Sequence, residues 1–436
     1  MKKIFIIISV FFLFSACKNQ NPQVKKDEDS KVKTLDSGNY SASAPYLFKK
    51  DSLIIVNWTE KKERDTKLNF KVFNCKTQKF GDKKGVPVAD GLQLHEESMA
   101  KIGMNKENNL YAFYRRRNKA SRSNFGGYMF YSSSMDNGQT WSKEKKLVKD
   151  TSSTSQSFYD IALLPDGNIG ISWLDSRKPI DKNLKGKTLY FASTENNQIS
   201  NEKPVAGSTC ECCRTDLYVD PNNNIHIAYR NIIQPEEPGF ITQKQEAIEN
   251  GIKNIDSLHF WDNDTEIRDM YYIFSKDQGN NFTKPAPIYK DNWHISGCPH
   301  TGPSLALNQN ILGAVWYTGK PKKEGIYFNT KEIDNNQFSK TKQHLSKEGR
   351  HPQMISLNGN YYVVYEEYYE KDGKGYEKII LKIIDNKRKA KTKELSEPLT
   401  QNNHAVLYNI DDKHILVVWV NKDTKNKKLQ YKIIEI

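Results

Sequence analysis

The sequence predicts an all-β fold, a β-propeller of four-stranded antiparallel blades, with seven blades expected and six as the alternative. An apolar, β-branched strand ending in Trp or Tyr recurs along the chain, each time followed by a second aromatic-rich strand. Turn sequences such as Pro165-Asp166-Gly167-Asn168 precede these strands and indicate hairpins. Repeats of about fifty to sixty residues are typical of propeller blades. The repeated strands end at Trp58, Tyr114, Trp173, Tyr229, Trp316, Tyr365 and Trp419.

The N-terminus has the features of an export signal. A basic start at Met1-Lys2-Lys3 precedes an apolar stretch, residues 4–14, that is too short to span a bilayer as a mature helix. The following Leu13-Phe14-Ser15-Ala16-Cys17 resembles the lipobox of bacterial lipoproteins. That resemblance implies a signal peptide over 1–16, lipidation of Cys17, and a lipid-anchored location in the cell envelope, at the outer membrane and facing the periplasm or the surface. The alternative is an ordinary secretory signal with an unmodified cysteine.

Composition divides the mature chain into a tether and a globular body. Residues 17–40 are rich in Lys, Asn, Gln and Asp and read as a flexible tether, whereas 41–436 carry evenly spread aromatic residues and should fold. The net charge of +14 comes from lysines scattered over the chain and not from one basic face. We therefore expect no nucleic-acid partner, membrane contact through the anchor only, and a monomer.

Two turns carry a further motif. Residues 134–141, SMDNGQTW, match S-x-D-x-G-x-T-W in full, and residues 275–282, SKDQGNNF, match it in part. In such a turn the carboxylate accepts backbone N–H groups, the glycine takes a positive φ, and the aromatic ring packs beneath the hairpin. With this Asp-box, the chain resembles the sialidase/BNR-repeat superfamily over nearly all its mature length, which implies a propeller fold.

Blade geometry predicts that one face collects functional side chains. The starts of the first strands and the ends of the second strands share a rim in such a fold, whereas the Asp-boxes lie on the opposite face. An insertion at 232–266 in the fourth blade, with a helix-like stretch at 242–255, is far longer than a hairpin requires. Because its ends lie on the rim, we expect it to roof a polar, arginine-rich funnel.

The resemblance to sialidases implies a chemistry for this funnel. Sialidases hold a substrate carboxylate with arginines and use a Tyr/Glu nucleophile pair with an Asp as acid and base, so the function implied is recognition of an anionic glycan, with exo-α-sialidase-type hydrolysis left open. The expected ligand-binding residues are Arg177, Arg214, Arg230, Arg268 and Arg350. The expected catalytic residues are Asp175, Asp216, Glu97 and Tyr159.

Cysteines and histidines at the rim leave a second interpretation open. They fall at equivalent strand starts of several repeats, and thiolate with imidazole suits Cu or Zn. In an exported protein the same cysteines could instead form disulfides that brace the rim. The alternative function is thus a non-catalytic metal- or glycan-binding envelope propeller. These metal or disulfide candidates are Cys210, Cys212, Cys213, Cys298, His95, His300, His351 and His404.

Overall fold

A computed structural model of the chain describes residues 31–36, 38–89, 91–117, 126–150, 152–233, 266–295, 297–335, 337–423 and 426–436. The expected signal peptide, Cys17, most of the tether, and residues 234–265 of the insertion, with its helix-like stretch, lie outside the described residues. Among the residues described, no helix has both the length and the apolar character to cross a lipid bilayer.

The described residues are organised almost entirely as strands, with one 3₁₀ helix at Glu96–Ser98. The first strands are β1 (Lys33–Asp36), β2 (Ser41–Lys50), β3 (Leu53–Lys62), β4 (Asp65–Asn74), β5 (Lys79–Phe80), β6 (Lys84–Val86), β7 (Lys101–Met104), β8 (Leu110–Arg117), β9 (Gly127–Ser134), β10 (Lys145–Lys146), β11 (Gln156–Leu163), β12 (Ile169–Asp175), β13 (Lys187–Glu195), β14 (Gln198–Thr209) and β15 (Asp216–Val219). The remaining strands are β16 (Ile225–Ile233), β17 (Glu266–Ser275), β18 (Ala286–Tyr289), β19 (His294–Ile295), β20 (Ser304–Asn308), β21 (Ile311–Thr318), β22 (Gly325–Glu332), β23 (Gln343–Ser346), β24 (Gly349–Leu357), β25 (Asn360–Lys371), β26 (Lys374–Ile384), β27 (Ala390–Glu394), β28 (Asn402–Asn409), β29 (His414–Asn421) and β30 (Lys428–Glu435).

In the described part of the chain these strands form six antiparallel sheets. Four sheets have four strands, in the orders β1-β30-β29-β28, β10-β9-β8-β7, β20-β21-β22-β23 and β24-β25-β26-β27. A fifth contains β2-β3-β4-β5, with β6 also paired to β4. The sixth has nine strands, and a single residue pair, Thr209 with Asn231, joins its β11–β14 portion to its β15–β19 portion. The all-β, propeller-like fold predicted from the sequence is confirmed.

The repeated aromatic residues form the centre of each sheet's packing. Each lies in a second strand and is no more than 1% exposed, including Trp58, Trp173 and Trp419. Such large side chains bury enough apolar area to hold neighbouring sheets together. One apolar cluster joins Ile54 of the first sheet to Val418 of the last, so the two ends of the chain pack against each other.

The N-terminal strand completes the last sheet. β1 pairs with β30, so Lys33–Asp36, placed in the tether by composition, supplies the outer strand. Leu35 is 5% exposed and packs in the same cluster as Trp58, which gives this short strand an apolar anchor. The pairing covers the edge of β30 that would otherwise be open.

The motif turns have the expected hydrogen bonds. The Asp136 carboxylate accepts the backbone N–H groups of Gln139 at 3.0 Å and Thr140 at 2.9 Å, together with the Ser134 hydroxyl at 2.8 Å. Gly138 has a φ of +80°, a conformation that glycine adopts without a Cβ penalty. These bonds hold the pKa of Asp136 well below its ordinary value. The turns stabilise the sheets at the ends of β9 and β17.

Bulges lie near the starts of β2, β11, β24 and β28. Each of these is the first strand of a sheet at one of its edges, and we call such strands innermost strands. The register shifts between Ser43 and Tyr46 in β2, and comparable shifts occur in β11, β24 and β28. A residue with positive φ lies in each bulge, and two of these residues are His351 (φ 47°) and His404 (φ 49°). A bulge changes the direction in which a side chain points. Residues other than glycine that have a positive φ are found preferentially at functional sites.

Candidate functional site

A cavity of about 580 Å³ lies where several innermost strands begin, and we call it the histidine cup. It collects side chains from chain segments more than three hundred residues apart. Four of its wall residues are imidazoles, as the repeat phase predicted. The lining residues are Ser41, Ser43, Lys61, Leu94, His95, Glu96, Glu97, His300, His351, His404 and Lys427.

His351 is the positively charged imidazole of the histidine cup. Its Nδ1 contacts the Glu366 carboxylate, and its Nε2 lies 3.1 Å from the carbonyl oxygen of His300. Both partners are acceptors, so both ring nitrogens donate and the ring is an imidazolium. Burial opposes this charge, but the Glu366 carboxylate prevails and raises the pKa of His351 to about 9.

His95 is a neutral imidazole on the same wall. Its Nδ1 accepts the backbone N–H of Glu97 at 3.2 Å, which leaves the ring proton on Nε2. The ring lies 5.1 Å, centroid to centroid, from that of His300. Burial, followed by the charge of His300, lowers the pKa of His95 to about 4.

His404 is a second neutral ring and stacks on the imidazolium. The ring centroids of His404 and His351 are 4.1 Å apart at an interplanar angle of 28°. Burial, with the nearby charge of His351, holds the pKa of His404 well below its ordinary value. Its Nδ1 lies 3.4 Å from Glu96, whose other carboxylate oxygen lies 3.9 Å from the ammonium of Lys427. The cup thus holds neutral and charged groups in contact.

The floor of the cup is a buried network around Glu97. One carboxylate oxygen of Glu97 accepts the N–H of Gly302 at 2.8 Å, and the other lies 3.9 Å from Nε of Arg214. Glu97, His351 and His404 each place one atom able to bind a metal within 4.8 Å of the others. Because both nitrogens of His351 already donate to oxygen acceptors, this trio suits a hydrogen-bonded ligand better than a metal ion.

Beneath the floor runs a channel of about 460 Å³ lined by the innermost strands. Lys101 and Asp160 form a buried ion pair of 2.6 Å there. Asp216 also lines the channel and accepts the N–H of Leu305 at 2.8 Å. Burial and the Asp160 charge raise the pKa of Asp216 to about 7.

The five arginines expected to bind a ligand have partners within the chain. Arg214 donates to the carbonyls of Pro303 and Pro352. Arg177 pairs with Asp175 at 2.9 Å and Glu202 at 2.6 Å.

The remaining three arginines are held in the same way. Arg230 donates to the carbonyls of Thr301 and Tyr317, and Arg268 pairs with Glu266 at 2.9 Å. Arg350 donates to the Gly349 carbonyl and lies 4.1 Å above the Tyr317 ring. None of the five lines the histidine cup as described.

The expected catalytic residues are dispersed. Asp175 is fully buried and accepts the Ser153 hydroxyl at 2.8 Å and the Trp173 indole N–H at 3.1 Å. Tyr159 is fully buried, and its hydroxyl donates to the Phe113 carbonyl at 2.8 Å. Burial raises the pKa of Tyr159 well above its ordinary value. Of the four expected residues, only Glu97 lines the cup.

The cysteine candidates lie beside the cup. Cys210, Cys212 and Cys213 are buried free thiols in the loop before β15, and Cys298 is an exposed free thiol in the loop before β20. Two residues after Cys298, His300 enters the cup wall. Sequence reasoning did not single out Lys61 or Lys427, since lysines are scattered throughout and no motif marks these two.

Comparison with known proteins gives relatives in structure only. No family model matches the chain, and no curated protein sequence matches it. The chain is similar to the polysaccharide lyase Uly1 (TM-score 0.55, 11% identity, 94% of this chain and 93% of that one). It is also similar to a PL25 ulvan lyase solved with -[GlcA(1-4)Rha3S]- bound (TM-score 0.55, 10% identity, 91% and 94%). NanB sialidase from Streptococcus pneumoniae aligns at a TM-score of 0.46 with 9% identity, over 94% of this chain and 93% of its own. At these identities the likeness concerns the fold alone.

Proposed function

We propose that the protein is an exported, lipid-anchored, seven-bladed propeller that binds and cleaves an anionic glycan at the histidine cup. The seven-blade interpretation divides the nine-stranded sheet at its single Thr209–Asn231 pair into two blades. Export and anchoring at the outer membrane follow from the resemblance of residues 13–17 to a lipobox.

One observation carries the proposal: the cup holds an imidazolium beside neutral imidazoles. His351 is kept cationic by Glu366, whereas burial keeps His95 and His404 neutral. Groups whose environments separate their pKa values in this way suit opposite roles in proton transfer. A substrate carboxylate would lie against the Lys427 ammonium and near the positive charge of His351, and the neutral His404 ring would accept the proton.

This arrangement favours β-elimination at a uronic acid. Neutralising the carboxylate makes the C5 proton acidic enough for a base to remove it. The C5–H electron pair then forms a C4=C5 double bond, and the C4–O bond breaks as its oxygen takes a proton from Nε2–H of His95. Two of the similar solved structures are polysaccharide lyases, and one of them holds the ligand -[GlcA(1-4)Rha3S]-.

Hydrolysis of a sialoside is the form implied by the resemblance to sialidases. It would require guanidinium groups that face a carboxylate. Arg214 and Arg230 instead donate to backbone carbonyls and are at most 3% exposed. Elimination, in which the Lys427 ammonium would face the carboxylate and the His351 imidazolium would add its charge, is therefore the form that the geometry favours.

The proposed activity is tested by measuring turnover of two sets of substrates, uronate-containing polysaccharides and sialosides. Uronate-containing polysaccharides are followed by the ultraviolet absorbance of the unsaturated product, and fluorogenic sialosides by release of the fluorophore. We expect elimination activity that falls at least tenfold in His351→Gln and Lys427→Gln. His414→Gln is the matched control, because His414 also contacts a carboxylate, Asp411, at 2.9 Å but does not line the cup. Sialoside release without elimination would replace the proposal by its hydrolytic form, and no turnover or glycan binding at all would refute both.

A further inference from the structure

Three of the chain's six cysteines converge in the loop before β15. The Sγ atom of Cys210 lies 3.5 Å from that of Cys212 and 4.0 Å from that of Cys213. All three sulfur atoms lie within 4.8 Å of one another, and each side chain is at most 3% exposed. The separations far exceed a disulfide bond of about 2.05 Å, so these are free thiols held in contact.

A fourth thiol reaches the cluster from another sheet. Cys298, in the loop before β20, lies beside the Cys212 thiol but outside the group of three sulfur atoms that are all within 4.8 Å of one another. Unlike the other three, Cys298 is exposed. Three of the thiols are therefore shielded from solvent, whereas Cys298 is accessible. An ion could reach the cluster from the side of Cys298.

Two guanidinium groups face the sulfur atoms. Nε of Arg230 donates to Sγ of Cys213 at 3.3 Å, and a terminal nitrogen of Arg268 donates to Sγ of Cys210 at 3.3 Å. Arg230 is only 2% exposed, and its other contacts include the Thr301 and Tyr317 carbonyls. A buried guanidinium requires a compensating negative charge, and protonated thiols would not supply one.

We propose that Cys210, Cys212, Cys213 and Cys298 bind one zinc ion as a structural four-thiolate site. In a tetrahedral site with Zn–S bonds of about 2.3 Å, neighbouring sulfur atoms lie about 3.8 Å apart. The Cys210–Cys212 and Cys210–Cys213 separations of 3.5 and 4.0 Å bracket that value, and the exposed Cys298 would move in to complete the tetrahedron. Zinc with four thiolates carries two net negative charges, which Arg230 and, beside its ion pair with Glu266, Arg268 partly offset.

The zinc site would fasten two loops that build the histidine cup. Arg214, which follows Cys213 directly, lies against the floor carboxylate of Glu97. On the other loop, Gly302 donates to that same carboxylate. A four-ligand site leaves no open coordination position, so the ion positions the cup and takes no part in bond breaking.

Metal content of the purified chain tests the site without reference to any glycan. Protein prepared under reducing conditions, free of chelator, is analysed by plasma mass spectrometry. We expect one zinc per chain, lost in Cys213→Ser and Cys298→Ser. Cys75→Ser is the matched control, because Cys75 is a buried thiol in the first sheet's cluster, and it should retain zinc fully. Arg230→Gln should weaken zinc binding ten- to a hundredfold in a chelator competition, as loss of an outer-shell partner does.

A second measurement keeps the proposal falsifiable if the serine variants fail to fold. Cobalt replacing zinc in the unmodified chain should give the absorption of a tetrahedral tetrathiolate, with an intense sulfur-to-metal charge-transfer band. Absence of that band together with absence of zinc, or a disulfide between Cys212 and Cys298 in peptide mass mapping, would overturn the site. Stoichiometric copper or iron would overturn the assignment to zinc, and zinc retained in both serine variants would place the ion elsewhere. A glycan-inactive protein that binds zinc as described would leave this site standing.

Discussion

Replacing Glu366 by glutamine should remove the charge that keeps His351 protonated. The substitution retains the shape of the side chain and an oxygen acceptor, which can still accept the backbone N–H of His404 now held at 3.2 Å. The His351 side chain is 20% exposed, so its interaction with Glu366 is only partly screened by solvent. The perturbation therefore isolates one ion pair in the cup wall.

The magnitude follows from the pKa of His351. A rise from the ordinary 6.5 to about 9 in the folded protein corresponds to about 3 kcal/mol of stability. Because the folded-state pKa is the higher one, this stability is fully present below about pH 6.5 and is lost as the pH rises through about 9. Glu366→Gln should thus cost about 3 kcal/mol near pH 6, about 2 kcal/mol near pH 7.5, and almost nothing near pH 10.

Urea unfolding of both proteins at these three pH values measures the difference, and NMR titration of the His351 ring measures the pKa directly. Glu367→Gln is the matched control: this neighbouring carboxylate accepts the Ser346 hydroxyl and lies 3.6 Å from Lys378, with no histidine partner, so its cost should not change over this range. A cost for Glu366→Gln that is constant between pH 6 and pH 10, or a His351 pKa near 6.5, would refute the reasoning.

Three further substitutions test the channel, the floor and a turn. Lys101→Met leaves Asp160 as an uncompensated buried charge and should cost about 3–5 kcal/mol in urea unfolding. Gly302→Ala would bring a Cβ to 2.3 Å from Cγ of Arg214, and should cost about 1–3 kcal/mol by the same measurement. Asp136→Ala removes the acceptor of two backbone N–H groups, and should lower the thermal midpoint by several degrees without changing zinc content.

Each substitution has a matched control. Lys143→Met alters an exposed lysine and should leave stability unchanged, so a Lys101→Met cost no larger than this control would contradict the buried pair. Gly38→Ala adds a Cβ with no atom closer than 3.7 Å, and an equal cost at Gly302 would contradict the steric account. An unchanged thermal midpoint in Asp136→Ala would show that the turn bonds contribute nothing.

The sequence predicted the fold and the meeting of the histidines because both depend on periodicity. Trp173 and Trp419 occupy the same place in separate sheets, and a repeat read from the sequence locates them without long-range information. His351 and His404 lie at the same phase of two repeats, so the packing of neighbouring sheets brings their rings to 4.1 Å.

Side-chain partners could not be predicted in the same way. Arg214 lies two residues before strand β15, where a ligand-binding residue was expected, yet it donates hydrogen bonds to the carbonyls of Pro303 and Pro352 in two other segments. Tyr159 and Asp160 are adjacent in sequence, but strand alternation sends one into the packing between sheets and the other into the channel. Neither the partners of Arg214 nor the surroundings of Tyr159 and Asp160 can be predicted from the neighbouring residues in the sequence.

The most direct test of the central claim is a crystal structure of the protein with a uronate oligosaccharide. We predict the uronate carboxylate in the histidine cup, within hydrogen-bonding distance of Lys427 and beside the His351 ring, with His95 or His404 facing the sugar ring. An oligosaccharide bound on another surface while the cup holds only solvent would contradict the account.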